Sequence, residues 1–470
     1  MKDLLLGVSP DYLYFKDKKP DQISKYHKPY FLAFCNNNVK SARKRLIEKN
    51  KNSSDDNTLS KIDKIGEIEN YRSFTNYNKK REVFRVYTKK SYFVPEVSDY
   101  LFYYFGINTA EHDIPYQQRS LIDLSVDKDM WVFDSKGEKT KLNVLVYDIE
   151  TTEFAIGKEN VPIDMIGYSN FEICFESSKD LEKEEFNFDI VDCPDSWHNI
   201  EISQVMSKNL DEEINNLFDF CKILKKSDII SGHNILGFDN NQIYNRLKWI
   251  LNTKKDNLSS EKIKIFTDYL NNYSREDKSF HFGMRNDVVQ FYPCCLDTYL
   301  GVRKFYSFLN EFSLKAVAPF LGINIKDRII LPPSQIKLDD RTLKYNKHDV
   351  QEQLGVTLNL IQQVLPLSFT TGMPFELLLP TGAVNMWDHM SLIRGYYHKK
   401  IMPPICRVMS TAKTVVKSFR GCDTKEKIVK RAKEKKEELS KDLARVVKYG
   451  DEMPNWITDP YVIYNENAKD

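Results

Sequence analysis

At 470 residues, with 41% hydrophobic and 29% charged side chains, the chain can supply core for two or three compact soluble units. A formal net charge of +2 excludes bulk charge as a basis for nucleic-acid binding, which would have to come from local patches. Eight scattered cysteines without a CxxC pair argue against a zinc site and suit reduced cytosolic thiols.

The N-terminal MKDLLLGVSPDY holds too short an apolar run for a signal peptide or a membrane span, so an intracellular, cytoplasmic protein is expected. Around YLYF and PYFLAF, residues 1–35 alternate as short strands. From Asn36 to about Lys80 the chain turns polar and reads as an exposed helix-and-loop insertion or a partly disordered arm. VFRVY (83–87) then reads as a strand and VPEVSDYLFYYFG as a helix ended by Gly106. DSKGEKTK makes a domain boundary near residue 138.

Beyond it, strands and helices alternate. Leu142–Tyr147, Met165–Tyr168 and Phe171–Phe175 read as strands, 211–226 as a helix, and Ile229-Ile230 as a short strand. Phe312–Leu321 and 341–365 read as helices, the second with Val350, Leu354, Leu358 and Ile361 on one stripe. The order implies an α/β unit with a mixed sheet. Thr381–Tyr397 reads as a helix stopped at Ile401–Pro404, and 423–449 as a basic helix between a capping box (Asp423, Glu426) and Gly450.

Three stretches carry chemistry. In VLVYDIETTE an apolar strand ends on Asp148 and Glu150, two residues apart and therefore on one side. Carboxylates that close repel, and burial worsens the conflict; Mg²⁺ or Mn²⁺ removes it. In IISGHNILGFDNNQIYNRL, Asp239 stands where a helix begins, which suits a cap as well as a third metal ligand, and Asn234 and Phe238 are placed to face substrate. In LKYNKHDVQEQLGV, Tyr345 and Asp349 are one helical turn apart, so the tyrosine can orient a water beside the aspartate. A half-buried tyrosine on an amphipathic helix would show the same spacing. His348 is read as a surface histidine.

Taken in order, these stretches resemble the three exonuclease motifs of the family B DNA polymerases: Asp148-Ile149-Glu150, Asn234 through Asp239, and Tyr345 through Asp349. KPYFLAF, FVPEVSDYL and HDIPYQQRSLID resemble the N-terminal domain of archaeal-type members, 296–323 resembles the segment between the second and third motifs, and 370–404 resembles the helices that lead from exonuclease to polymerase domain. The resemblance implies a ribonuclease H-like exonuclease domain with a mixed sheet, overall α/β or α+β, after a smaller β-rich domain and before a helical segment. The expected division is 1–137, 138–368 and 369–470.

It also implies a two-metal 3′→5′ exonuclease: two Mg²⁺ or Mn²⁺ ions about 4 Å apart held by Asp148, Glu150, Asp239 and Asp349, with Tyr345 orienting the water. Asn234 and Phe238 would hold the terminal nucleotide of an unpaired DNA 3′ end. Archaeal-type relatives read uracil in a pocket, and Pro29, Val94 and Pro95 fall in segments resembling it, although ordinary packing of a strand and a helix start is the favoured reading of those residues. The palm motifs DxxSLYPS, KxxxNSxYG and YxDTDS are absent, and YGDEM (449–453) is only an echo of the last. The expectation is therefore the N-terminal part of a longer polymerase, or one subunit of a split one. Partners would be primer-template DNA, a palm-bearing chain and a sliding clamp, and no membrane. The alternatives are a non-catalytic DNA-binding scaffold and a free-standing exonuclease of the same superfold.

Overall fold

The apolar run at 142–147 is the centre of a strand, Thr140–Glu150, around which the larger part of the molecule is built. Its alternate side chains are buried on both faces, as expected for a strand covered by helices. The computed structural model describes residues 3–35, 38–51, 58–72, 80–151, 160–277 and 288–402; the expected helix at 423–449 and YGDEM lie outside them.

Thr140–Glu150 pairs antiparallel with Met165–Asp180 over its whole length, from Thr140 opposite Phe175 to Glu150 opposite Met165. The two strands expected at 165–175 are thus one long strand, which turns back through Glu185–Asp192 and also pairs with Ser203–Met206. On the other side Thr140–Glu150 runs parallel to Ile229–Gly232, itself parallel to Cys295–Asp297. The mixed sheet of the sequence reading is present. Its three parallel strands end at Asp148–Glu150, Gly232 and Asp297, and in such sheets sites form at the carboxyl ends of strands.

Helices supply the remaining parts. Leu210–Lys226 starts at Asn209, whose side chain accepts the Glu212 N–H. The helix expected at 341–365 runs from Asp340 to Thr371, six residues past the sequence reading. Pro366 lacks an N–H but does not stop it; Gly372, at φ 69°, does.

Backbone contacts gather Met1–His27 with Tyr116–Tyr396 in one unit, and Lys28–Pro115 with the chain from Tyr397 in another. These units cut across a division at 137. The Phe133 N–H donates to the Leu5 carbonyl at 2.9 Å, and the Val8 N–H to Glu376 at 2.6 Å, which tie the first strands to the larger unit.

The smaller unit is a four-stranded antiparallel sheet in the order Ile62–Arg72, Lys80–Thr88, Tyr30–Phe34, Asn108–Ala110, with helices Val39–Lys51 and Val94–Phe105. The polar stretch from 36 onward is therefore not a solvated insertion where it is described. Val39, Ala42, Leu46, Leu59 and Ile62 pack with Phe31, Phe84 and Val97 in its core. Their spacing along 39–46 is a narrow helical stripe that the surrounding lysines and arginines mask. Gly106 ends the second helix at φ 63°, as expected.

Candidate active site

Asp148 and Glu150 leave the end of their strand within reach of Asp349, on the long helix that packs over the sheet. One oxygen from each of the three lies within 4.8 Å of the others. Glu150 and Asp349 are buried and Asp148 is half-buried. Asp239 is the first residue of helix Asp239–Thr253, buried, and its Oδ1 accepts the Ile149 N–H at 3.1 Å. It thus sits against the residue between the two first-motif carboxylates, outside the tight trio.

Crowding and burial have an electrostatic signature. Withdrawal from water, then Glu150, Asp239 and Asp349, hold the Asp148 carboxyl well above the usual carboxylate range. Burial, Asp349 and Asp239 push Glu150 up to about 8. Burial raises Asp239 to about 7 against the backbone bond from Ile149. Asp349 is also raised by burial, with Arg328 opposing the shift. Four acids held in this way fit a divalent cation, and carboxylate oxygens are the donors Mg²⁺ and Mn²⁺ prefer.

Tyr345 is half-buried one turn before Asp349. Burial and the negative charge of Asp349 keep its hydroxyl protonated, with its pKa raised well above the ordinary tyrosine range. It is therefore a hydrogen-bond donor at neutral pH, and not a base.

The second motif is a tight turn. Asn234 takes φ 63°, a left-handed backbone that asparagine tolerates, and its carbonyl accepts the N–H groups of Gly237 and Phe238, each at 3.1 Å. Asn234 and Phe238 are both half-buried. His233, pushed down to about 4 by burial, is neutral and bridges Thr298 and the Phe312 carbonyl at 3.0 and 2.9 Å.

Several residues that organise the site were not singled out in the sequence. Asn346 donates to Asp148 Oδ2 at 2.9 Å and Gln353 to Oδ1 at 2.8 Å, so two neutral amides from the long helix fix both oxygens. Asp297, fully buried, accepts the N–H groups of Asn234 and Leu236 at 3.1 Å and of Tyr299 at 2.9 Å. Arg328 binds Asp349 and Glu352. Gln353 lies four residues after Asp349, and the Asp297-Thr298 pair is a helix-start signal, so both were readable. His348 is buried, and its Nδ1 accepts the Ile329 N–H at 3.1 Å, because the preceding loop folds over that face; it is not a surface residue.

Two glycines make the close approach possible. A Cβ on Gly167, which pairs with Asp148, would lie 2.0 Å from Asn346 Oδ1; one on Gly232 would lie 2.8 Å from the Tyr147 carbonyl oxygen and 3.1 Å from Gln353 Oε1. Gly167→Ala should therefore displace Asn346 and cost about 1–3 kcal/mol of stability, read from the denaturant midpoint. A midpoint equal to wild type would show that the sheet and helix have room to spare.

In the smaller unit Val94 is buried in the core, Pro95 is exposed in the first turn of its helix, and the Pro29 carbonyl accepts the Thr88 N–H at 2.9 Å.

Residues 106–317 match the family model for the exonuclease domain of DNA polymerase family B. The chain carries a family B DNA polymerase exonuclease domain. Its fold is similar to that of part of the family B DNA polymerase from the hyperthermophilic archaeon Pyrobaculum calidifontis, with a TM-score of 0.58 and 17% sequence identity over 86% of this chain. The chain spans about half the length of that polymerase, 51%. No curated protein matches it. The family-model match ends before Asp349, which the long helix brings to Asp148 and Glu150. Among the described residues no helix is long and apolar enough to cross a membrane.

Proposed function

We propose that this chain is the proofreading part of a family B DNA polymerase, hydrolysing the unpaired 3′ end of DNA, with polymerisation supplied by a palm domain in a continuation of the chain or in a partner subunit. The observation that carries the reading is the convergence of Asp148, Glu150 and Asp349 within 4.8 Å, from segments two hundred residues apart in sequence, with Asp239 beside them.

Asp148, Glu150 and Asp349 would hold the metal, with Asp239 completing the acidic set. When bound, Mg²⁺ or Mn²⁺ supplies Lewis acidity to the phosphoryl oxygens and lowers the pKa of a coordinated water. Asn346 and Gln353 fix the orientation of Asp148. Tyr345 keeps its proton and orients the attacking water as a donor. Asn234 and Phe238, on the turn beside Asp239, hold the terminal nucleotide, the ring of Phe238 stacking on its base. Only a frayed end reaches such a site, and a mismatched end frays at lower cost than a paired one. A scaffold without catalysis gives no reason to bury four mutually repelling acids.

A 5′-labelled single-stranded oligonucleotide should shorten stepwise from its 3′ end only when Mg²⁺ or Mn²⁺ is present, and a 3′-terminal phosphorothioate should block it. Shortening from the 5′ end, or none, would sink the assignment. Tyr345→Phe should slow this reaction by about 10- to 100-fold while leaving metal affinity intact, the scale for loss of an orienting hydrogen bond.

A further inference from the structure

We propose that Arg328 is a resident counter-cation that competes with divalent metal for Asp349, so that loading the site requires the guanidinium to give up that carboxylate. This inference rests on the metal-dependent reading above.

Arg328 lies between helices Leu314–Phe320 and Asp340–Thr371, with its side chain only 14% exposed. Its Nη2 is hydrogen-bonded to Asp349 Oδ1. The same guanidinium holds Glu352 by two bonds, Nε to Oε1 at 2.7 Å and Nη2 to Oε2 at 3.0 Å. Its centre is 5.4 Å from the Tyr345 ring centroid. Asp349 and Glu352 are three residues apart on one helix, so they face the same way and share the cation.

Among the described residues, Arg328 is the only cationic side chain hydrogen-bonded to one of the four carboxylates. The other donors are neutral: the Asn346 and Gln353 amides on Asp148, the Asn346 amide on Glu150, the Ile149 N–H on Asp239 and the Tyr345 hydroxyl on Asp349. A neutral donor orients a ligand without opposing a cation. A guanidinium does otherwise, because it occupies a carboxylate oxygen and repels a second positive charge at short range. Glu352 gives it somewhere to stay: two bonds persist when Asp349 is released, so no large rearrangement is needed. Glu352 and Arg328 then neutralise one another, leaving four carboxylates for the metal.

An orienting role and a competing role predict opposite signs. Removal of an orienting partner weakens metal binding, whereas removal of a competitor strengthens it. Saturable Mn²⁺ binding to the full chain, measured without DNA by electron paramagnetic resonance of the free ion, separates them. Arg328→Gln should bind Mn²⁺ more tightly than wild type, by about tenfold. Because that variant leaves Glu352 buried without its partner, the neutral pair Arg328→Gln/Glu352→Gln is measured beside Glu352→Gln alone. The double variant should again bind more tightly than the single. Mn²⁺ affinity that is unchanged or weaker on loss of Arg328 in both backgrounds overturns the proposal. Absence of saturable Mn²⁺ binding in wild type overturns the metal-dependent reading itself, and this proposal falls with it.

Discussion

Asp148→Asn combined with Glu150→Gln should leave a folded chain that no longer shortens single-stranded DNA in Mg²⁺, with a rate loss on the order of 10³-fold or more. The substitutions preserve shape and remove the negative charge, at the cost of one acceptor oxygen each. Asp148 is one of the three converging carboxylates and also takes the amides of Asn346 and Gln353, which an asparagine can accept only at its remaining oxygen. The same variant makes a second, opposite expectation about stability. Both carboxyls titrate above their ordinary range in the folded chain, so between the ordinary carboxylate pKa, about 4, and their raised values the folded state binds more protons than the unfolded one. Stability of the metal-free wild type therefore falls as pH rises through that window, up to about 8 for Glu150. The double variant lacks this loss. Without divalent metal it should melt above wild type at pH 8, and the two should converge towards pH 4. Added Mg²⁺ should raise the melting temperature of wild type alone. Degradation at the wild-type rate by the double variant would end the assignment of these carboxylates, and equal melting at both pH values would show that they do not repel.

The sequence carried the fold where periodicity is strong. The apolar strand at 142–147, the amphipathic helix at 211–226 and the stripe Val350, Leu354, Leu358, Ile361 were legible because one face of each is buried. The site was legible as spacing: two carboxylates at a strand end, a turn before a helix, and a tyrosine one turn before an aspartate. What spacing does not carry is which neutral side chain lies opposite a charge. Asn346 sits beside a motif tyrosine, yet its role depends on Gly167, nearly two hundred residues away, having no Cβ. Arg328 lies in a loop whose course follows from how two helices pack, and no local pattern marks it. The smaller unit was misread for a related reason: its 39–51 helix exposes so much charge that three buried apolar residues left little signal.

Asp297→Ala should lower stability by about 3 kcal/mol and, separately, loosen nucleotide binding. The residue is fully buried at the end of a parallel strand, and its carboxylate caps helix Thr298–Phe305 through the Tyr299 N–H while holding the Asn234 and Leu236 N–H groups of the second-motif turn. Truncation leaves those buried donors without an acceptor, and each such donor costs about 1–3 kcal/mol when unsatisfied. Asn234 is held in a left-handed conformation whose strain the surrounding bonds must outweigh, so the turn would relax once they are gone. Asp297 is not one of the three converging carboxylates; its hydrogen bonds go to the second-motif turn, and it reaches the acidic set only through its charge on Asp239. Asp297→Asn, which retains one acceptor oxygen, should keep Mn²⁺ affinity near wild type while KM for single-stranded DNA rises by about tenfold, because Asn234 and Phe238 lose their fixed placement. Amide hydrogen exchange at Asn234 and Leu236 should quicken in the same variant. If Mn²⁺ affinity fell and KM stayed constant, Asp297 would be acting on the carboxylates rather than on the turn, and the assignment of Asn234 and Phe238 to the substrate would lose its structural support.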